Sequence, residues 1–348
     1  MNVHEKYMNR CLELAQMGAG SVSPNPMVGC VIVHNNNIIG EGYHEKYGEA
    51  HAEVNAINAV KNNALLAEST LYVSLEPCAH FGLTPPCSDL IIEKKIPQVI
   101  IGTIDSFAKV AGKGIERMLK AGIEVQLGVK ENECREINKR FFTFHEKKRP
   151  FVILKWAETN DGFIDSDRSE NEFGKPNWIT GESALLRVHQ MRAVEDAIFV
   201  GTNTAFKDNP SLTVRLCEGR NPVRIVIDNH LRLPQTLNLF DGTVKTLVFN
   251  SIKNEETENI EFIKIDFDKR VVQHVLKNLF QRNIQSLIVE GGKQLLDSFI
   301  SSGLWDEAFR FVGNKNFKTG VEAPKISGNP VLSESIDNDR LFIYKNAN

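Results

Sequence analysis

His51-Ala52-Glu53, then Thr70-Leu-Tyr-Val-Ser-Leu-Glu-Pro-Cys78, then Cys87, form the stretch whose reading decides the fold of this chain. Thr70 to Leu75 is rich in strand formers, and Glu76, Pro77 and Cys78 leave the end of that strand. The segment opened by His51 reads as a helix. Its apolar stripe, Ala56, Ile57, Val60 and Ala64, falls at helical intervals from Glu53 and so aims that carboxylate inward. Cys87 precedes Ser88, Asp89, Leu90, Ile91 and Ile92, so it opens another helix, whose free N–H groups favour a thiolate. Met27 to Val33 adds a buried strand ahead of them all. Two helix starts and a strand end therefore converge on one point.

One imidazole and two thiolates make a zinc ligand set that leaves a fourth position for water. A glutamate that moves protons without binding the metal completes the arrangement used in hydrolytic deamination, and Glu53 is placed for it. Taken singly, His51 is an ordinary helix-start residue, and Cys78 and Cys87 are ordinary small buried side chains. At this spacing the combination indicates zinc-hydrolase chemistry. One feature is unusual: Ala79 to Pro86 separate the cysteines, where cytidine-type deaminases place two residues.

Outward from this core, 348 residues exceed what one hydrophobic core organises, and 42% hydrophobic residues suffice for globular folding. The break is expected in His145-Glu-Lys-Lys-Arg-Pro150, a charge run read as a solvated connector, giving domains 1–146 and 147–348. Before it, strands and helices alternate as in an α/β/α layer sandwich. After it, Phe151 to Lys155, Ala197 to Val200, Val223 to Ile227, Val244 to Phe249 and Ser286 to Val289 read as strands, and Glu182 to Arg192 and Leu295 to Ser301 as helices. Ile252 to Asp268 is polar and is expected to be irregular. Ser286-Leu-Ile-Val-Glu-Gly-Gly-Lys293 runs from strand through two glycines into a helix, a junction able to cradle phosphate, although Gly-Gly is more often only a turn.

A net charge of −3 gives no general attraction to nucleic acid or anionic membrane, so a small-molecule substrate is expected. No apolar run is long enough to span a bilayer, and the amino terminus lacks a signal-peptide pattern; the expected compartment is the cytoplasm. Cys11, Cys30, Cys134 and Cys217 show no spacing for a second metal or a disulfide framework.

The loop Cys78-Ala-His-Phe-Gly-Leu-Thr-Pro-Pro-Cys87 resembles the bifunctional deaminase/reductase family of riboflavin biosynthesis. So do Pro24-Asn-Pro-Met-Val-Gly-Cys-Val-Ile-Val33, Gly40-Glu-Gly-Tyr-His44 and Val110-Ala-Gly-Lys-Gly114. The second half joins them with Phe151-Val-Ile-Leu-Lys-Trp-Ala157, Trp178-Ile-Thr180, Asp208-Asn-Pro-Ser-Leu-Thr213 and Val289-Glu-Gly-Gly292. The resemblance implies a cytidine-deaminase-like α/β/α domain followed by a dihydrofolate-reductase-like α/β domain, with Zn2+ and NADPH as cofactors and a phosphorylated pyrimidine as substrate. Self-association into a homo-oligomer is compatible with it.

Carried over by position, the resemblance implies that Asn25 contacts the pyrimidine. Glu158, Trp178, Thr204, Asp208, Gly291 and Gly292 fall at cofactor positions, and Pro176, Arg192, Leu212, Arg215 and Glu290 at positions facing the reductase substrate. Lys155 and Asp161 are candidates for moving a proton in the reduction. Pro176 stands where relatives often carry serine, Glu158 where they often carry alanine, and Asp105-Ser-Phe-Ala108 where many have Asp-Pro-Asn-Pro. Pro176 and Glu158 leave open a deaminase whose second half is a degenerate binding or oligomerising module. A nucleic-acid base deaminase shares the zinc core but lacks support from charge.

Overall fold

The computed structural model describes residues 2–79, 81, 85–106, 112–169 and 172–347. The chain divides into two compact units, Met1–Lys148 and Arg149–Asn348.

The first unit contains α1 (Val3–Gln16), β1 (Gly29–His34), β2 (Asn37–Tyr43), α2 (Ala52–Asn58), β3 (Thr70–Leu75), α3 (Cys87–Glu93), β4 (Gln98–Thr103), α4 (Lys113–Lys120), β5 (Glu124–Leu127), α5 (Glu131–Ile137) and α6 (Lys139–Lys147). Its sheet runs β2-β1-β3-β4-β5, with β1 antiparallel to β2 and β3 and the β3–β4–β5 pairs parallel. The inner strands read as continuous apolar runs because both faces are covered. Cys30, Ile32, Leu71, Val73, Val99 and Ile101 face one core with Ala56 and Ile57 of α2, while Val31, Tyr72 and Ile100 face the other with Met8 and Cys11 of α1.

Gly40-Glu-Gly42 has a packing reason. A Cβ at Gly42 would lie 2.4 Å from the Ala56 nitrogen, and one at Gly40 2.4 Å from the Ala56 carbonyl oxygen, so α2 lies directly on β2. That contact fixes the depth of His51 and Glu53. The helix is shorter than its stripe predicts: it ends at Asn58, and Ala64 is exposed in a 3-10 turn over Asn63–Glu68. Asn62 starts that turn by accepting from the Ala64 N–H at 3.2 Å.

The second unit contains β6 (Phe151–Glu158), β7 (Phe163–Asp165), α7 (Glu182–Val194), β8 (Ala197–Gly201), α8 (Thr202–Asp208), β9 (Val223–Ile227), β10 (Thr246–Asn250), β11 (Glu255–Glu256), β12 (Ile260–Lys264), α9 (Val271–Gln281), β13 (Ser286–Val289), α10 (Lys293–Ser302), β14 (Glu307–Val312), β15 (Val321–Glu322), β16 (Leu332–Ile336) and β17 (Asp339–Lys345). Its main sheet runs β11-β12-β10-β9-β8-β13-β6-β14-β17-β16, parallel from β12 to β14. Alternation decides the two faces. Ala197, Phe199, Ile225, Leu287 and Val289 pack with Val272, Leu276, Leu296 and Phe299 of α9 and α10, while Ile198, Val200, Val226 and Ile288 pack with Ala205 of α8.

Two expectations are corrected. Ile252 to Asp268 is not irregular throughout, since β12 pairs in parallel with β10 and buries Phe262 and Ile263. It lies one place in from the sheet edge, where Glu261 and Lys264 break the apolar signal. The connector is not wholly solvated either. Lys148 ends α6 in a left-handed conformation, and Arg149 donates to both Asp306 oxygens, at 2.5 and 2.8 Å, with both side chains largely buried.

Candidate active sites

In the first unit His51 caps α2 from an extended backbone, Cys78 follows the end of β3, and Cys87 is the first residue of α3. His51 Nδ1 lies 3.5 Å from Cys78 Sγ and 3.3 Å from Cys87 Sγ, and these atoms form the metal-ligand group found among the described residues. A tetrahedral zinc with bonds of about 2.0 Å to nitrogen and about 2.3 Å to sulfur sets N···S separations of roughly 3.5 Å. The three ligands therefore fit zinc as they stand. The Cys87 N–H donates to Cys78 Sγ at 3.3 Å, so the start of α3 stabilises the neighbouring thiolate rather than its own. The Cys78 thiol is held well below the usual thiol range, first by a side-chain hydrogen bond with Cys87 and further by His51.

Glu53, in the first turn of α2, is buried, and burial pushes its carboxyl up to about 7. Asn25 stands nearby in a fixed orientation. His44 Nδ1 donates to the Ala50 carbonyl at 3.0 Å, which leaves Nε2 to accept from Asn25 Nδ2 at 3.1 Å and the Asn25 carbonyl oxygen available. The His44 ring meets the His51 ring edge-on at 5.4 Å. In the sequence His44 stands only at the end of Gly40-Glu-Gly-Tyr-His44; its place as the partner of Asn25 emerges from the fold.

Glu76 is not a ligand. Its buried carboxylate accepts backbone N–H groups from Asp105 (3.4 Å), Gly112 (2.9 Å), Gly114 (2.9 Å) and Ile115 (3.4 Å). The strand end that carries Cys78 is thereby tied to the start of α4. This accounts for Gly112 to Gly114 of the Val110–Gly114 motif; Val110 and Ala111, Phe107 and Ala108 of the Asp105–Ala108 departure, and His80 and Gly82–Thr84 of the inter-cysteine loop lie outside the described residues.

In the second unit a cavity of about 940 Å³ opens at the carboxyl ends of β6, β13, β8 and β9. Trp178, Thr204, Asp208, Gly291 and Gly292 line it, as do Pro176, Arg192, Leu212, Arg215 and Glu290. Glu158 does not join them. It is buried elsewhere, accepting from Trp156 Nε1 at 2.7 Å and from Arg310 Nη2 at 2.6 Å, so its charge is neutralised away from the cavity. Asp161 is also engaged elsewhere, accepting from Thr159 Oγ1 and the Lys318 N–H, whereas Lys155 lines the cavity.

The walls are built from paired charges. Arg192 Nε and Nη2 donate to the two Glu290 oxygens at 3.1 and 2.8 Å, with Lys155 Nζ 4.0 Å from Glu290. Burial raises the Glu290 carboxyl, but Arg192 and Lys155 outweigh it and hold it down to about 2. Burial lowers the Lys155 ammonium. Asp208 accepts from Arg168 at 2.5 Å and so braces the wall, while the Arg215 guanidinium bonds only Thr213 Oγ1 among the described residues, at 2.9 Å, and keeps donors for an anion.

His189 was not singled out from the sequence. It is buried, its Nδ1 accepts the Arg215 N–H at 3.0 Å, and burial, with Arg192 and Arg215 nearby, holds it down to about 4 and hence neutral. Its spacing of three from Arg192 on one helix was the available signal.

The cofactor cradle lies at Gly291 and Gly292. Gly291 has φ +111°, a conformation favouring glycine, and a Cβ on Gly292 would come 3.1 Å from Thr204 Oγ1 and fill the space. Gly292 precedes the first residue of α10, and the free N–H groups of that helix start suit an anion. Volume, glycine cradle and helix start fit a dinucleotide.

Residues 1–103 match the cytidine and deoxycytidylate deaminase zinc-binding region, and residues 150–315 match the RibD C-terminal domain. The chain is 42% identical over 330 residues to riboflavin biosynthesis protein RibD of Actinobacillus pleuropneumoniae, covering 90% of this chain and 86% of that protein. It is 39% identical over 327 residues to RibD of Aquifex aeolicus, covering 92% and 89%. Among solved structures, a diaminohydroxyphosphoribosylaminopyrimidine deaminase/5-amino-6-(5-phosphoribosylamino)uracil reductase of Thermotoga maritima superposes with a TM-score of 0.89 at 38% identity over 99% of both chains. The chain belongs to the RibD family, the bifunctional enzymes of riboflavin biosynthesis that join a zinc-dependent pyrimidine deaminase to an NADPH-dependent reductase.

Proposed function

We propose that residues 1–146 deaminate a phosphoribosylated diaminopyrimidinone and that residues 147–348 reduce the ribosyl group of the product to ribityl. The single observation that carries the first step is the grouping of His51 Nδ1, Cys78 Sγ and Cys87 Sγ beside the buried carboxylate of Glu53. His51, Cys78 and Cys87 hold the metal. Zinc bound there supplies a water acidic enough to attack near neutral pH. Glu53 accepts the water proton and returns protons to the ring nitrogen and the departing ammonia, base first and acid afterwards. Asn25, held by His44, presents its carbonyl oxygen to the donors of the pyrimidine.

In the second step Arg215 binds the phosphate with charge-assisted hydrogen bonds, while Arg192, tied to Glu290, forms the wall beside it. NADPH, when bound, supplies the hydride to the sugar carbon of the ring-opened imine. Gly291, Gly292 and Thr204 position the cofactor's phosphates, and Trp178 covers the cavity mouth. Leu212, buried in the wall, excludes water with Pro176 beside it. Glu290 fixes Arg192 and Lys155, and Lys155 holds the proton that the imine nitrogen takes up when hydride reaches the sugar carbon. Because Glu158 faces away from the cavity, it gives no ground for a degenerate second half. The enzyme acts in the cytoplasm on this small phosphorylated substrate.

Metal removal tests the assignment. Chelation should stop ammonia release while leaving reduction of separately supplied deaminated product intact, and zinc should restore the first activity. Loss of both activities, or of neither, contradicts the division of labour.

A further inference from the structure

The cavity of the second unit crosses the carboxyl ends of four neighbouring strands in the order β6, β13, β8, β9. Strands lie about 4.8 Å apart, so its ends are about 14 Å from each other. Lys155 marks the β6 end, and the glycine cradle after β13 lies between it and Gly201, which ends β8. Past β9 the turn from Asp228 to Leu233 is tied to the residue after β10 by the Ser251 N–H, which donates to the Asn229 carbonyl at 3.0 Å, and this turn brings Arg232 into the cavity lining. A dinucleotide laid with its diphosphate on the glycines and its nicotinamide toward Lys155 therefore extends its adenosine toward Arg232.

The cations lining the cavity differ in what already holds them. Lys155 and Arg192 face Glu290, Arg168 pairs with Asp165 and Asp208, and Lys293 pairs with Asp297. Arg215 lies at the substrate end, and Lys207 rests over the Phe173 ring at 5.4 Å. Arg232 has neither acid nor ring among the described residues, and it is exposed at the rim. Its backbone is nevertheless fixed. The Leu231 N–H donates to the Asp228 carbonyl at 3.1 Å and the Leu233 N–H to Asp228 Oδ2 at 2.8 Å, with Leu233 buried.

NADPH differs from NADH by one phosphate on the adenosine ribose, and a guanidinium on a fixed turn matches such a group bidentately. We infer that Arg232 selects NADPH over NADH by binding that phosphate, an inference that rests on the cofactor orientation proposed above.

Equilibrium binding of NADPH and of NADH to the full-length chain, followed by cofactor fluorescence, tests it without turnover. Arg232→Ala should weaken NADPH by about 10- to 100-fold, the loss of a charged hydrogen-bonding partner. NADH should change by less than about twofold, and Arg232→Lys should recover part of the loss, because a lysine keeps the charge without the bidentate fork. An undiminished preference for NADPH in Arg232→Ala, equal weakening of both cofactors, or loss of preference in Lys207→Ala instead overturns the inference. Wild-type chain that binds neither cofactor overturns the cofactor reading itself.

Discussion

The zinc site and the reductase cavity are built by opposite means. At the zinc site short side chains hang from backbone positions fixed by a helix start, a strand end and a second helix start, and backbone N–H groups hold Cys78 and Glu76. In the cavity, long charged side chains from β6, α7 and the end of β13 hold one another. The first design concentrates function in a few neighbouring positions, where one atom changes the chemistry. The second spreads it over a charge network, where removing one partner leaves another uncompensated.

Glu53→Gln should give the largest effect: ammonia release falls by about 10²- to 10⁴-fold, the range for a general acid–base. Metal analysis should find zinc retained, since Glu53 is not among the ligand atoms. Zinc lost together with activity would make Glu53 part of the metal's support instead.

Arg192→Ala breaks a buried pair and should destabilise the second unit by about 3 kcal/mol, the low end for such losses, because Lys155 still faces Glu290. Arg215→Ala removes an exposed side chain with one hydrogen bond. It should cost at most about 0.5 kcal/mol in stability while raising the reductase KM about tenfold or more. Thermal unfolding beside reductase kinetics separates the two, and equal behaviour would dissolve the distinction between wall and ligand contact.

Glu76→Gln presents an amide donor to backbone N–H groups that now meet a carboxylate. It should cost the first unit about 1–3 kcal/mol, readable by denaturant unfolding, with the zinc ligands unchanged. The smallest effect concerns pH. His189 is held down to about 4, against about 6.5 in the unfolded chain, so its contribution is complete above about pH 6.5 and is lost as the pH falls toward 4. The stability advantage of wild type over His189→Asn should therefore narrow across that window. An advantage independent of pH would mean that His189 is not kept neutral.

The same contrast explains what was legible. His51, Glu53, Cys78 and Cys87 could be read from residue type and spacing because the fold brings them together through short local elements. β3, β9 and β13 were bounded correctly because the sheet buries them and leaves short runs dominated by apolar residues, broken only by single polar positions such as Ser74 and Arg224. β12 escaped because this short strand, one place in from the sheet edge, is interrupted by Glu261 and ends on Lys264, and the α2 stripe was overextended because Asn62 opens a new turn. The inward-facing cavity residues came from positional resemblance; periodicity says nothing of partners such as Arg192 and Glu290, 98 residues apart, or His189 and Arg215, 26 apart. Glu158 was misplaced because the carry-over fixes a backbone position, whereas the partner that captures the side chain, Arg310, lies 152 residues away.

The most direct measurement follows ammonia release and loss of NADPH absorbance together, with phosphoribosyl diaminopyrimidinone as sole substrate. Wild type should oxidise one NADPH per ammonia released and release ammonia even without NADPH, while Glu53→Gln should release no ammonia and oxidise NADPH only when deaminated product is supplied. Oxidation of NADPH by Glu53→Gln without that product would contradict the account.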